Sequence, residues 1–377
     1  LDWLESRGYK PDSLGKTQVK ELIKTAKEPV KSVLEMRLQL SKSSVKKYTA
    51  MKQTACRDNR ARGMFSFYGA SRTGRWAGRN IQLQNLPQNH LEDLTEAREL
   101  VKTGSFDDVQ MIYDDVPDTL SQLIRTAFIP RQGMKFIVAD FSAIEARVIA
   151  WLADEQWVLD AFANNKDLYC ETASRMFGVP VEKHGINGEL RQKGKQCTLS
   201  CSYGGAKGAL IAMGAIDSGM KEDELQPLVI AWREANPNIV RFWHSLEQCA
   251  MKCIKEKTVT KTNRLTFSYE AGFLFIELPS GRRLAYAKPR IGENKFGGES
   301  ITYMGINAQK KWDRLETFGG KIAENVCQAV ARDLLMYSMQ TLSHCFIVAT
   351  VHDEIIIEAS KDMSLDVVCQ QMARTPK

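Results

Sequence analysis

Two short apolar runs, each ending at an acid, do most to constrain this chain. MKFIVAD (134–140) carries a buried-strand signal with Asp140 at its C-terminal end. FIVATVHDEIIIEA (346–359) sets two β-rich runs around His352-Asp353, the pattern of a tight hairpin with an acid at its tip. A lone carboxylate at a strand end is often only a cap or turn former. Two of them on adjacent rigid strands can instead bridge a pair of Mg²⁺ ions roughly 3.5–4 Å apart, one acidifying an attacking hydroxyl and the other stabilising a leaving pyrophosphate. Taken alone, that pattern suits polymerases, nucleases and phosphatases equally.

The segments around these acids mix helix and strand. Residues 141–154 have helical spacing, and 153–255 read mostly as helix, with breaks near 178–180, 184–188, 203–205 and 236–238. Residues 258–303 are strand-like and basic, with a turn at Pro279-Ser280-Gly281, and 321–343 form one long helix. At the front, Pro29 precedes a helix from Val30, with Val33, Leu34, Leu38, Leu40 and Val45 as its apolar stripe. Lys42, Lys46, Lys47 and Lys52 lie toward its other side, either as a solvated face or as phosphate contacts. Residues 64–87 read as loops and short strands rich in side-chain donors, and 89–130 as helical. Tyr113-Asp114-Asp115 has no β-branched strand beside it and reads as a loop, not a second acidic turn.

Composition bounds the class. With 377 residues, 44% apolar and 26% charged, the chain can bury a large core, so disordered and fibrous classes are excluded. No apolar run is long enough for a membrane helix, and LDWLESRGYK shows no secretory block. Nine cysteines lack zinc-site spacing and are expected to be reduced thiols in a cytoplasmic protein. A net charge of +7 permits a polyanionic partner without demanding one.

LRQKGKQCTLSCSYG (190–204) discriminates between the reaction classes. Arg191, Lys195, Leu199 and Tyr203 recur every fourth residue, and on a helix each step drifts only about 40°. Two cations, then an apolar residue, then an aromatic suit a nucleoside triphosphate lying lengthwise, its phosphates met by Arg191 and Lys195. A plain basic amphipathic helix would show the same charges. Gly194 inside the helix costs about 1 kcal/mol against Ala, which hints at a close contact.

DFSAIEAR (140–147), RxxxKxxxLxxxYG (191–204) and VHDE (351–354), in this order, resemble the three motifs of A-family DNA polymerases, the DNA polymerase I type. TGR (73–75), LQNLP (83–87), DLYCETASRMFG (167–178), NPNIVRFW (236–243), SGRR (280–283) and QAVARD (328–333) extend the resemblance over roughly residues 30 to 360, and phage or prophage members are the most similar. The resemblance implies an α+β right-hand polymerase with an antiparallel palm sheet, helical fingers and a partial helical thumb. It implies template-directed addition of dNTPs to a primer 3′-hydroxyl with two Mg²⁺ ions and release of pyrophosphate.

By the same resemblance, Asp140 and Asp353 bind the metals, and Glu354 lies near them. Lys195 and Arg191 hold the triphosphate. Leu199, Tyr203, Glu145 and Tyr169 complete the dNTP site, with Glu145 under the sugar as a block to a 2′-hydroxyl. Arg75, Gln82, Gln84, Asn85, Gln328 and His352 contact primer–template DNA. Leu199 stands where most members have Phe or Tyr, and Tyr169 where many have His.

The expected divisions are a thumb remnant (1–60), palm (61–155), fingers (156–300) and the resumed palm with the catalytic hairpin (301–377). Against the family's usual extent the chain is expected to be trimmed at both ends, without an exonuclease domain. The implied protein is a monomer with no membrane association, in the cytoplasm of a bacterial or phage-infected cell. The rival readings are a single-subunit RNA polymerase and a degenerate, DNA-binding palm without activity.

Overall fold

A computed structural model describes residues 1–40, 45–294 and 297–376. The chain forms two compact units, one of residues 1–66 with 77–136, the other of 67–76 with 137–377.

The first unit is mainly helical. Pro29 does precede a helix, Val30–Leu40. Leu34 is buried and Leu38 packs beside it on Leu4, Val19 and Val30, whereas Val33 faces outward. Lys42 lies outside the described residues. Lys46 and Lys52 are exposed on the next helix, Lys46–Thr54, but Lys47 turns inward and donates to the Ile81 carbonyl at 2.7 Å. A buried chain carbonyl, rather than solvent or phosphate, is therefore its partner. Asp114 and Asp115 lie between two helices, and Asp115 caps the second, Val116–Gln122, by accepting from the Asp118 N–H.

The second unit is built on two sheets. One has three strands, in the order Ile347–Val351, Glu354–Ser360, Met134–Asp140. Ile137, Ala139, Ile355 and Ile357 point from it into a core shared with Leu335 of the long helix Gly319–Thr341 and with Val368 of the helix Leu365–Met372. The other is a six-stranded antiparallel meander running from Thr260–Thr262 to Trp312–Thr317 in sequence order. Its apolar face (Phe267, Leu274, Ile276, Leu284, Tyr286) joins the largest core, with helices Ile144–Ala153, Leu225–Ala235 and Pro237–Glu256. There Trp232 and Trp243 stack at 6.1 Å.

Two divisions differ from expectation. Residues 61–155 do not stay together: 67–76 and 137 onward belong to one unit, 77–136 to the other. The 300/301 boundary cuts the strand Glu299–Ile306, since the meander continues to Thr317. Its last strand, WDRLET, was not anticipated. It is an edge strand whose two apolar residues, Trp312 and Leu315, stand three positions apart among charges, which removes the alternation that marks a half-buried strand.

Candidate active site

The two acids meet at one end of the three-stranded sheet. Asp140 is the last residue of its strand, and Val351 pairs with Glu354, so His352 and Asp353 form a two-residue turn. His352 has φ 53°, a left-handed conformation that His tolerates better than most residues. The Phe141 N–H donates to the Asp353 carbonyl at 3.3 Å, tying the strand end to the hairpin tip. Desolvation pushes the carboxyl of half-buried Asp353 above the ordinary Asp range, and that of Asp140, whose residue is more exposed, in the same direction. Arg75 pulls Asp353 back, while Glu145 and Asp140 push it further up. Three carboxylates, Asp140, Asp353 and Glu145, thus lie near one another. Among the described residues no cluster of three or more His, Cys, Asp or Glu forms a closed metal cage. Two hard carboxylates beside open space are what Mg²⁺ takes when substrate phosphates and water supply its other oxygens.

Arg75 lies inside this cluster. Its guanidinium pairs with Glu145 at 2.7 Å and reaches Asp353 at 3.4 Å, so it offsets the charge of both carboxylates. Buried Arg332, 7% exposed, delivers it: its Nε donates to the Gly74 carbonyl at 3.1 Å and its guanidinium lies against Trp76. Arg282 braces the same face, donating to Asp333 at 2.8 Å and to the Ala329 carbonyl at 2.9 Å. TGR, SGRR and QAVARD are thus parts of one scaffold. The other oxygen of Glu145 accepts from the Tyr203 hydroxyl at 2.9 Å. Burial pushes that hydroxyl well above the usual Tyr range, and it does the same to the neighbouring Cys327 thiol. Sequence reasoning missed Cys327; nothing in an apolar helix position signals a thiol under a tyrosine.

The helix Leu190–Cys201 ends earlier than its pattern suggested. Ser202 continues the helical twist, Gly204 turns left-handed at φ 80°, and Tyr203 sits just past the last turn. Lys193 lies on a different face and pairs with Glu224 at 3.3 Å. Lys195 has no carboxylate within ion-pairing distance among the described residues, and Leu199 is 48% exposed. Arg191 is engaged: Nε and Nη2 donate to one oxygen of Asp167 at 3.0 and 2.8 Å, and its guanidinium lies 5.3 Å from the Tyr169 ring. Gly194 has the close contact its cost implied. A Cβ there would lie 2.4 Å from the Tyr169 carbonyl oxygen, so glycine lets this helix press against Leu168–Phe177.

Glu354 opens the second hairpin strand. Gln328 lies on the long helix and donates to Glu324 at 3.4 Å. Gln82, Gln84 and Asn85 belong to the first unit, in and before the short 3₁₀ turn Leu83–Asn85, where Asn85 donates to Gln82 at 3.1 Å.

The profile of the family described as DNA polymerase family A matches residues 6–375. The chain belongs to DNA polymerase family A. It is 51% identical over 364 residues to the DNA polymerase of Bacillus phage SP02, covering 95% of this chain and 56% of that protein. It is 27% identical over 251 residues to the thermostable DNA polymerase I of Thermus aquaticus, covering 64% of this chain and 25% of that protein. The chain therefore spans about half the length of its phage relative and about a quarter of the bacterial one. A solved structure titled as the POL domain of Pol1 from M. smegmatis in complex with DNA primer-template and dNTP superposes with a TM-score of 0.62 at 18% identity, covering 95% of this chain and 52% of that one. The fold of this family A member is accordingly the α+β right-hand polymerase fold. Among the described residues no helix is long and apolar enough to cross a membrane, and all nine cysteines are free thiols.

Proposed function

We propose that this chain carries out template-directed DNA synthesis, adding dNTPs to a primer 3′-hydroxyl with release of pyrophosphate. One observation carries the reading. A continuous chain of contacts, Tyr203 to Glu145 to Arg75 to Asp353, links the end of the cationic helix to the paired carboxylates. A triphosphate along Lys195 and Arg191 would lead its α-phosphate toward acids placed to hold metal, an arrangement a nuclease or phosphatase does not need. The likeness to the phage polymerase over nearly the whole chain supports the same reading.

Asp140 and Asp353 would hold Mg²⁺, which when bound lowers the pKa of an attacking hydroxyl and offsets charge on the departing pyrophosphate. The rest falls to the chain's own side chains. Lys195 and Arg191 bind and orient the triphosphate. Glu145, held between Arg75 and Tyr203, would be the block that a ribose 2′-hydroxyl meets. Residues 1–60 would serve as thumb, the three-stranded sheet as palm, and the helices and meander from 156 to 317 as fingers. Gln82, Gln84, Asn85, Gln328 and His352 would meet primer–template DNA, and the enzyme would act as a monomer.

Primer extension with Mg²⁺ tests this. Extension dependent on template sequence and on dNTPs is expected. Glu145→Ala should raise the use of rNTPs relative to dNTPs, because a steric block penalises the wrong sugar. Absence of extension by folded protein would contradict the reading, and an unchanged rNTP/dNTP ratio in an active variant would remove Glu145 from the gate.

A further inference from the structure

Asp167 is not among the residues assigned above, yet its two carboxylate oxygens have separate duties. Oδ1 accepts from the N–H groups of Tyr169 and Cys170, both at 3.0 Å, and so caps the helix Leu168–Phe177. Oδ2 accepts from Nε and Nη2 of Arg191. The pair is partly shielded, with side chains 29% and 24% exposed. Tyr169 lies against the Arg191 guanidinium, and Gly194, one turn further on, brings the two helices into backbone contact. Three neighbouring features thus fix the start of one helix against the start of the other, and the residue they immobilise is Arg191.

The geometry leaves the guanidinium half-used. Arginine has five N–H donors in a rigid fork. Asp167 takes the Nε–H and one Nη2–H along one edge, with the Cys170 thiol beside the same pair, so among the described residues no carboxylate or carbonyl occupies the Nη1 edge. That free edge can take phosphate oxygens while the Asp167 bond persists. We infer that Asp167 is a positioning residue for the triphosphate: it fixes the plane of Arg191 so that its open edge is presented ready-made to a polyphosphate anion. This rests on the reading of Arg191 and Lys195 as triphosphate contacts. Pre-organisation of this kind appears in ligand affinity, since a side chain already held in its bound geometry loses less freedom on binding.

Asp167→Asn tests the inference, because Asn caps a helix as well as Asp does but cannot accept from Arg191 with a full charge. The measurements are KM and kcat for dNTP, the inhibition constant of inorganic tripolyphosphate, and the same set in Arg191→Ala and in the double variant. We expect Asp167→Asn to weaken dNTP and tripolyphosphate binding about tenfold, the scale of a hydrogen bond to a charged group, with kcat and primer–template affinity changed little. In the Arg191→Ala background it should have no further effect, because it acts through Arg191. Tighter tripolyphosphate binding by Asp167→Asn would mean that Asp167 competes with phosphate, and would overturn the inference. So would an equal loss in the Arg191→Ala background. Asp167→Ser, which also caps, repeats the test should the Asn variant be unstable. If Arg191→Ala itself left dNTP KM unchanged, the triphosphate assignment would fail instead, a result distinct from failure of Asp167 alone.

Discussion

The carboxylate pair and the cationic helix solve opposite electrostatic problems in the same way. On the sheet, Asp353 is partly neutralised by Arg75, while Asp140 has no Lys or Arg within ion-pairing distance among the described residues. On the helix, Arg191 is neutralised by Asp167, while Lys195 has no acid within that distance. On the sheet one arginine is shared by Glu145 and Asp353, on the helix one aspartate pairs Arg191, and Asp140 and Lys195 stand outside those ion pairs. The scaffolds differ. Strand ends place the acids with little freedom, whereas a helix places its cations on a stripe that drifts. Pairing steadies what the backbone leaves loose, and the open charge in each region is where a ligand of opposite sign gains most.

The largest effect that could break this comparison is at Lys195. Loss of an unpaired cation facing phosphate should lower kcat/KM for dNTP by about 30- to 1000-fold, while Lys193→Ala, whose partner is Glu224, should cost less than about threefold. Steady-state kinetics of both variants checks this; comparable losses would make the helix a generic basic surface.

A smaller effect sharpens the claim that helix packing sets the stripe. Gly194→Ala places a Cβ against the Tyr169 carbonyl. Overpacking of about 1–3 kcal/mol outweighs the roughly 1 kcal/mol gained in helix propensity. The denaturant midpoint should fall, with dNTP KM rising as Arg191 shifts; an unchanged midpoint would mean the helices adjust freely.

The smallest effect concerns the acids without metal. Desolvation raises the Asp353 carboxyl, and the more exposed Asp140 carboxyl in the same direction, so the native protein holds protons more tightly than the unfolded chain. Stability then falls as pH rises from the ordinary Asp range through the raised values. In metal-free buffer Asp140→Asn should melt slightly above the parent at about pH 7, with the difference vanishing near pH 3.5, below the ordinary Asp value. A thermal melt series reads it; a lower melting point for the variant at neutral pH would show that the Asp140 charge is compensated within the chain.

Much of this site was legible because it is local. Asp140 and Asp353 declare themselves where apolar runs stop, and the 191-195-199 spacing is a property of one helix, with Tyr203 just past its end. Even the partner of Lys193 agrees with the helical stripe, which puts Lys193 on another face. What could not be read depends on distant encounters. Arg75 meets Glu145 and Asp353 while Arg332 holds the neighbouring Gly74 carbonyl, and no spacing rule spans those separations. Asp167 reads locally as a helix cap, but one carboxylate serving two helices is a tertiary fact. The inward turn of Lys47 and the charged edge strand Trp312–Thr317 were hidden for the same reason: solvent-type residues were used in structural positions.

The central claim is that Asp140 and Asp353 work together as the metal-holding pair of a nucleotidyl transfer site. The most direct measurement is single-nucleotide primer extension by Asp140→Ala and Asp353→Ala, with primer–template affinity followed by fluorescence anisotropy. The account predicts that each substitution abolishes extension while the DNA dissociation constant stays within about threefold, since backbone contacts elsewhere supply most of the affinity. Near-normal extension by either variant would contradict it.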